Sequence, residues 1–298
     1  MKKPYFQTWP FNFGALRNQD FEKAKVVIIP VPYEATTSWK AGTREGPYDI
    51  ISASRQLDEL FFKKGGFINF PVFTMKEVEL LGDTGEEAKR GMEQVVSEIL
   101  DYNSPTTLPL SRAPKKKIPF LLGGEHSITL GAVRALYQKY SNLSVLQLDA
   151  HLDLLDEYCG SKYTHACVMR RIKDLKIPTV QVGIRSIDPE SKDYIKKEKI
   201  KNIFQAPEIP VEKILKGLTK TVYLTIDLDV FDPSIMPSVG TPVPGGLGWY
   251  EVLDLIEKVA KKKNVVGADV VELCPIPGLV APNFLAAKLV YKIMSFII

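Results

Sequence analysis

The chain of 298 residues is 45% hydrophobic and carries a formal net charge of +4, so it can bury a large core, and we expect one domain over residues 1–298. Its lysines are scattered, apart from the short runs 115–117 and 261–263, and they form no basic stripe of the kind that binds nucleic acid. Three cysteines without Cys-x-x-Cys spacing, and no apolar run of about 18 residues, lead us to expect a soluble cytoplasmic protein without a membrane span.

Short β-branched runs alternate with longer amphipathic segments along almost the whole chain. In chain order, the apolar runs predict strands over residues 25–31, 118–124, 144–150, 179–184, 202–206, 222–229 and 265–273. Apolar residues at helical spacing predict helices over residues 46–62, 86–100, 127–140, 166–175, 190–197, 211–218, 250–262 and 283–296. The segment 103–117 is rich in proline, serine and lysine and predicts a surface connection. This alternation indicates an α/β fold, with a mostly parallel sheet that is covered by helices on both faces.

Charged and imidazole side chains follow four of these strands where each strand ends. They are His126, after the strand over 118–124; Asp149, His151 and Asp153, at the end of the strand over 144–150; Asp227 and Asp229, after 222–226; and Glu272, after 265–271. Taken singly, such an aspartate usually caps a helix and such a histidine usually makes structural hydrogen bonds. Because ligands bind outside the carboxyl ends of the strands in an open parallel sheet, we expect these side chains to converge.

Four carboxylates gathered with two imidazoles would repel one another strongly unless cations were bound. Six donors exceed the needs of one tetrahedral zinc, and their oxygen-rich composition suits a harder ion such as Mn²⁺. Two ions would use all six side chains and would lower the pKa of a shared water. In extended chain, Asp149, His151 and Asp153 face one side and could reach a common centre. The ligands predicted are His126, Asp149, His151, Asp153, Asp227 and Asp229.

Four motifs in the same order resemble those of the ureohydrolase family, the arginases and agmatinases. They are GGEHS, DAHLD, IDLDVFDPSIMPSVGTPVPGGL and DVVELCP, and the segment VIIPVPYEATTSWKAGTREGPYDIISAS nearer the N-terminus also resembles the family. The resemblance implies a three-layer α/β/α sandwich on a mostly parallel eight-stranded sheet. One departure is Glu125 in GGEHS, where many members have aspartate.

The resemblance implies two Mn²⁺ ions in each chain. One would be held by His126, Asp149, Asp153 and Asp227, and the other by Asp149, His151, Asp227 and Asp229. In the family, a metal-bridging hydroxide attacks the guanidinium carbon, and the tetrahedral intermediate then releases urea and an amine.

Three further roles follow from the same resemblance. Glu272 matches the family glutamate that holds the guanidinium, although a strand-end carboxylate could also act only as a local cap. His165, in KYTHACVMRR, matches the histidine that shuttles protons, although it could be a structural histidine at the start of a helix. Asp153 could hand a proton to the leaving nitrogen.

The segment LLDEYCGSKYT, residues 154–164, lacks the asparagine–serine arrangement with which arginases hold the α-substituents of arginine. It offers Asp156 and Glu157 instead, whose charges would repel a carboxylate and attract an amine, although both could equally be solvated loop charges. The substrate expected is therefore agmatine, hydrolysed to urea and putrescine in polyamine biosynthesis. Arginine, guanidinobutyrate and related guanidino compounds are the alternatives.

Two alternatives to this small-molecule hydrolase stay open. One is a catalytically inactive ureohydrolase-like binding protein, which would have lost metal ligands, and the other is a deacetylase, which uses a single zinc ion. Metal content per chain would separate them. Family members commonly form homo-trimers or homo-hexamers, and we expect one of these assemblies here.

Overall fold

A computed structural model describes residues 11–16, 19–57, 71–80, 85–102 and 116–298. These ranges contain eight strands: β1 (Val26–Val31), β2 (Val72–Thr74), β3 (Ile118–Gly123), β4 (Leu143–Leu148), β5 (Thr179–Ile184), β6 (Ile203–Gln205), β7 (Thr221–Asp227) and β8 (Asn264–Val271). They also contain eight α-helices: α1 (Gly46–Ser54), α2 (Glu86–Asp101), α3 (Thr129–Lys139), α4 (Val168–Asp174), α5 (Pro189–Glu198), α6 (Val211–Gly217), α7 (Trp249–Lys262) and α8 (Ala281–Ile297). None of these helices is long and apolar enough to cross a membrane.

The strands form one sheet in the order β2-β1-β3-β8-β7-β4-β5-β6, and every paired neighbour runs parallel. The four strands that the sequence analysis singled out for their polar ends, β3, β8, β7 and β4, are adjacent in the middle of this order. Because parallel strands all end at the same edge, the residues that follow these four strands meet at one place.

Alternate residues of β1 point to opposite faces of the sheet and enter two different cores. Val26 and Ile28 pack in a cluster that includes residues of α1, α7 and α8. Val27 and Ile29 pack in a second cluster, with residues of α2, α3 and α4. Both faces of the sheet are thus covered, which explains why every residue of β1 is buried. The predicted three-layer α/β/α sandwich with eight parallel strands is confirmed.

The sequence predicts seven of the eight strands and misses β2. This strand has only three residues and, within the described ranges, lies at the edge of the sheet beside β1, so it leaves too short an apolar pattern to detect. The helix predicted over 46–62 ends at Ser54. Its predicted continuation over 58–62 lies outside the described residues, as does 103–115, most of the predicted surface connection.

The loop after β1 lies against the loop after β3 at Gly124. A Cβ atom at Gly124 would lie 1.9 Å from the carbonyl oxygen of Tyr33. The Gly124 amide donates to the Val31 carbonyl at 3.0 Å, and the Glu125 amide donates to the Tyr33 carbonyl at 2.9 Å. Since only glycine permits this approach, Gly124 fixes where the chain enters the turn that carries His126.

Candidate metal centre and active site

The ligand candidates come from neighbouring strands in the middle of the sheet. The side chains brought together there are His126 after β3; Asp149, His151 and Asp153 after β4; Asp227 and Asp229 at the end of β7; and Glu272 after β8. All of them except Asp149 line one cavity of about 210 Å³, and Asp149 is fully buried. The structure therefore brings these residues together at one place, as the sequence predicts.

The first group of donors surrounds the buried imidazole of His126. Its Nδ1 lies 3.2 Å from Asp149 Oδ2, 3.2 Å from Asp153 Oδ2 and 3.4 Å from Asp227 Oδ2. Among the described residues, this buried Nδ1 has no hydrogen-bond partner, which is unusual for a polar atom of a protein interior. Donor atoms of His126, Asp149 and Asp227 all lie within 4.8 Å of one another, close enough to hold one ion.

The second group lies on the other side of Asp149. His151 Nδ1 is 2.8 Å from Asp229 Oδ2 and 3.6 Å from Asp149 Oδ1. Donor atoms of Asp149, His151 and Asp229 again lie within 4.8 Å of one another. Asp149 thus belongs to both groups through its two oxygens. The bridging role that the resemblance implies for Asp227 stays a prediction.

The pKa values of the cluster indicate an excess of negative charge. Burial, with the charges of Asp229 and Asp149, raises the pKa of Asp227 well above its usual range. Burial and the charge of Asp149 also raise the pKa of Asp153 to about 7. Burial opposes the imidazolium form of His126, but the attraction of the three aspartates within 3.4 Å of its Nδ1 outweighs it, so the pKa of His126 is well above its usual value. Divalent cations would replace the protons that these groups hold, so the donor set fits a metal centre.

The backbone after β4 differs from the extended chain that the alternation of Asp149, His151 and Asp153 predicts. His151 still forms a parallel bridge to Ser186, and its amide donates to Asp149 Oδ1 at 2.6 Å. Asp153, however, has a φ of 52°, in the left-handed region. Asp149 thus takes part in both groups of donors, His151 in the second and Asp153 in the first, and the chain departs from the extended conformation at Asp153.

Two glutamines that the sequence analysis missed support the aspartates from inside the strands. Gln147 Nε2 donates to Asp149 Oδ2 at 2.6 Å and to Asp153 Oδ2 at 3.2 Å. Gln181 Nε2 donates to Gln147 Oε1 at 2.5 Å, which orients the amide of Gln147. Both glutamines are fully buried. Their only signal in the sequence is a glutamine in the middle of each apolar run.

Arg185 is a third residue that the sequence analysis missed. Its guanidinium donates to the carbonyl oxygens of Asp229 at 2.5 Å and of Val243 at 2.8 Å. The Asp229 carboxylate in turn accepts from the Ala150 amide at 2.9 Å. Arg185 therefore ties the backbone after β7 to the loop at Val243 and holds Asp229 beside the turn after β4.

Asp156 and Glu157 do not line the cavity. Arg171 donates to Asp156 Oδ1 at 2.6 Å, Lys162 lies 3.2 Å from Asp156 Oδ2, and the hydrogen bond to Arg171 lowers the pKa of Asp156. Glu157 is exposed. The charge of Asp156 is thus balanced within the chain, so the structure does not place either side chain where it could attract a substrate amine. Asp188 lines the cavity instead, with Trp39 and Tyr158.

His165 lines the cavity, and both of its ring nitrogens lie near hydroxyl groups. Its Nδ1 is 3.2 Å from the Thr36 hydroxyl, and its Nε2 is 3.3 Å from the Ser38 hydroxyl. Burial lowers the pKa of His165. A neutral imidazole with one nitrogen towards the cavity could accept and return a proton, as the predicted shuttle requires.

Glu272 also lines the cavity, and its Oε1 accepts from the His126 amide at 2.7 Å. Its φ of 66° lies in the left-handed region, which turns the side chain away from the strand direction of β8. Burial and the charge of Glu125 raise the pKa of Glu272 well above its usual range. The ionised carboxylate would therefore be stabilised by a cation that enters the cavity.

Comparison with known proteins gives a consistent result. A family model described as the arginase family matches residues 24–295. An N(1)-aminopropylagmatine ureohydrolase of Synechocystis sp. is 39% identical over 283 residues, which cover 93% of this chain and 90% of that protein. An agmatinase of Pyrococcus horikoshii is 31% identical over 279 residues, 93% of each chain. The crystal structure of agmatine ureohydrolase of Thermoplasma volcanium has a TM-score of 0.82 at 30% identity and covers 98% of this chain and 96% of that one.

The parallel sheet, and the carboxylates and imidazoles gathered at its edge, define an α/β enzyme with a candidate two-ion centre. The chain belongs to the arginase family. It is an agmatinase-like ureohydrolase, an enzyme that hydrolyses guanidino carbon–nitrogen bonds. The predicted resemblance to the ureohydrolases is confirmed. Members of this family generally use two metal ions, act on small molecules and are typically oligomeric.

Proposed function

We propose that this enzyme uses two Mn²⁺ ions to hydrolyse a guanidino compound with a cationic amine tail, either N(1)-aminopropylagmatine or agmatine. The observation that carries the proposal is the arrangement of the cavity: five of the six candidate metal ligands line it, the sixth, Asp149, is buried beside them, and Glu272 and His165 line the same cavity. An N(1)-aminopropylagmatine ureohydrolase and an agmatinase each align with over 90% of the chain.

The metal proposal follows from the donors. The residues that would hold the ions are His126, Asp149, His151, Asp153, Asp227 and Asp229. Four carboxylates and two imidazoles favour a hard ion such as Mn²⁺ over one that prefers thiolates. When bound, the ions would acidify water and so supply a nucleophile at neutral pH.

The remaining steps belong to side chains of the chain. Glu272, whose carboxylate form a cation would stabilise, orients the guanidinium beside His126. Asp153, beside the leaving nitrogen, passes a proton to it, and His165 exchanges protons with solvent. One water is consumed, and the guanidinium is converted to urea and a protonated amine.

The choice of substrate rests on Asp188 and on the open end of the cavity. Asp188 Oδ1 caps α5 by accepting from the Ser191 amide at 2.7 Å, which fixes the carboxylate on the cavity wall. Trp39 lines the same cavity with an exposed fraction of 82%, so its indole lies at the mouth. A carboxylate followed by an aromatic ring suits a chain with one amine inside and a second amine further out. N(1)-aminopropylagmatine has both amines, and agmatine has only the first.

Urea release from the Mn²⁺-loaded enzyme tests the proposal. The panel contains N(1)-aminopropylagmatine, agmatine, arginine, guanidinobutyrate and free guanidine. We expect the first to have the highest kcat/KM, agmatine to follow, and the substrates with a carboxylate to be much poorer. Hydrolysis of arginine alone would contradict the proposal.

Metal analysis of the same preparation separates the other classes of protein. Two manganese ions per chain support the hydrolase, one zinc ion supports a deacetylase, and no bound metal after addition of manganese supports a binding protein.

A homo-trimeric or homo-hexameric assembly, a cytoplasmic location and a single domain over residues 1–298 stay predictions.

A further inference from the structure

Glu125 is fully buried beside the candidate metal centre, although it is not among the candidate ligands. Its two carboxylate oxygens accept four hydrogen bonds. Oε2 accepts from the amides of Ala35 at 3.0 Å and Thr36 at 2.6 Å. Oε1 accepts from the hydroxyls of Thr36 at 2.7 Å and Ser127 at 2.6 Å. Glu125 thus fastens the loop after β1 to the turn after β3.

The Thr36 hydroxyl connects Glu125 to His165. A threonine hydroxyl has one hydrogen to donate and two lone pairs that accept. The hydrogen is committed to Glu125 Oε1, to which the hydroxyl donates at 2.7 Å. The two lone pairs of Thr36 Oγ1 face the His165 amide at 3.1 Å and the His165 Nδ1 at 3.2 Å. In the neutral ring, Nδ1 must therefore carry the hydrogen.

We propose that Glu125 is a positioning residue which, through Thr36, holds His165 as the Nδ1–H tautomer with the Nε2 lone pair towards the cavity. The tautomer of a histidine is set by the hydrogen bond that its other nitrogen makes. Here Nδ1 of His165 makes that bond with Thr36, and Glu125 orients the Thr36 hydroxyl. The Ser38 hydroxyl lies 3.3 Å from Nε2, within reach of this lone pair. The catalytic consequence rests on the proposed function, in which His165 exchanges protons at Nε2.

The length of the glutamate side chain explains its presence in GGEHS. Glu125 reaches from the end of β3 to two successive amides and one hydroxyl at Ala35 and Thr36. An aspartate would be shorter by one carbon–carbon bond, about 1.5 Å, so it could not hold all these donors at the observed distances. Family members with another residue at this position would therefore need a different contact to hold the histidine.

Neutron diffraction tests the tautomer directly, without turnover. Crystals of the full chain are exchanged into D₂O at about pH 8, where burial keeps the His165 ring neutral. We expect deuterium on Nδ1 and none on Nε2. Deuterium on Nε2 alone would overturn the proposal. This result is independent of the urea assay, so failure of the proposed function would leave the tautomer intact.

Kinetics of three variants test the route from Glu125. Thr36→Val keeps the shape of the side chain but removes the hydroxyl. Glu125→Gln removes one acceptor, and the hydrogen of the Thr36 hydroxyl can then point to His165 instead. We expect each to lower kcat by roughly threefold to tenfold, the loss of about one hydrogen bond, while KM and metal content stay the same. Thr36→Ser, which keeps the hydroxyl, should match the parent enzyme. Equal losses in Thr36→Ser and Thr36→Val, or a change only in metal content, would show a merely structural role.

Discussion

The imidazole Nε2 of His126 lies 2.8 Å from the hydroxyl oxygen of Thr225. That hydroxyl donates to Asp269 Oδ1 at 2.6 Å, so its hydrogen is committed and it accepts from Nε2–H of His126. The other ring nitrogen, Nδ1, then faces the aspartates with either a lone pair or a second proton. An ion at this site competes with that proton.

This competition predicts how metal affinity depends on pH. The pKa of His126 is well above its usual value and that of Asp153 is about 7, so the metal-free protein holds protons on both near neutrality. Metal binding releases them, and the affinity for Mn²⁺ should therefore rise with pH, by roughly tenfold per pH unit for each proton displaced. Titration calorimetry from about pH 6 to about pH 8, in buffers of different ionisation enthalpy, measures both the affinity and the protons released. An affinity that does not change over this range would contradict the prediction.

Asp188 and Asp156 should differ in their effects on substrate binding. Asp188→Asn keeps the cap of α5, because asparagine also accepts from the Ser191 amide, but it removes a charge from the cavity wall. We expect KM for the cationic substrate to rise by about twofold to fivefold with little change in kcat. Asp156→Asn is the matched control, since Asp156 pairs with Arg171 outside the cavity, and it should leave KM unchanged. A larger effect of Asp156→Asn than of Asp188→Asn on steady-state KM would restore the role that the sequence suggested.

Two glycine substitutions should change the free energy of unfolding in opposite directions. Gly124→Ala would place a Cβ 1.9 Å from the Tyr33 carbonyl oxygen, so the two loops must separate, at a cost of about 1–3 kcal/mol. Gly91 lies within α2, where an added Cβ meets only Leu80 at 3.4 Å. Gly91→Ala should stabilise the protein by about 0.5–1 kcal/mol. Denaturant unfolding measures both, and equal effects would refute the close approach at Gly124.

The buried carboxylate of Asp269 gives a fourth prediction. Its Oδ2 accepts from the hydroxyls of Tyr223 at 2.6 Å and Thr129 at 2.8 Å. Tyr223→Phe removes one charge-assisted hydrogen bond from a fully buried group and should lower the free energy of unfolding by about 1.5–3 kcal/mol. Tyr250→Phe is the control, because Tyr250 is 82% exposed, and it should have almost no effect. Denaturant midpoints that fall equally in the two variants would argue against this network.

Most of the fold could be predicted from the sequence because its parallel strands are buried on both faces. Such strands read as continuous apolar runs, and β5 was predicted over 179–184, the range Thr179–Ile184 that it occupies. The pattern fails where burial is incomplete or the element is short. β2 contributes three residues at one edge of the sheet, so neither its composition nor its length distinguishes it from a loop.

The candidate ligands could be predicted because they interrupt apolar runs at strand ends, and the parallel sheet brings these ends together. The buried residues that support the ligands could not be predicted. Gln147 meets Gln181, 34 positions away, and His126 meets Thr225, 99 positions away, and such contacts depend on strand order. The sequence likewise could not show that Asp156 pairs with Arg171, because that contact depends on the fold, and the role expected for Asp156 stays a prediction.

Asp153 and Glu272 have φ angles of 52° and 66°, which cost a residue with a side chain roughly 1 kcal/mol each. In an ordinary loop, glycine at such positions would be a simple route to greater heat tolerance. Here the same change would delete a carboxylate that lines the cavity. Selection for durability and selection for turnover therefore act in opposite directions at these two positions, and adaptation to higher temperature must come from other parts of the chain.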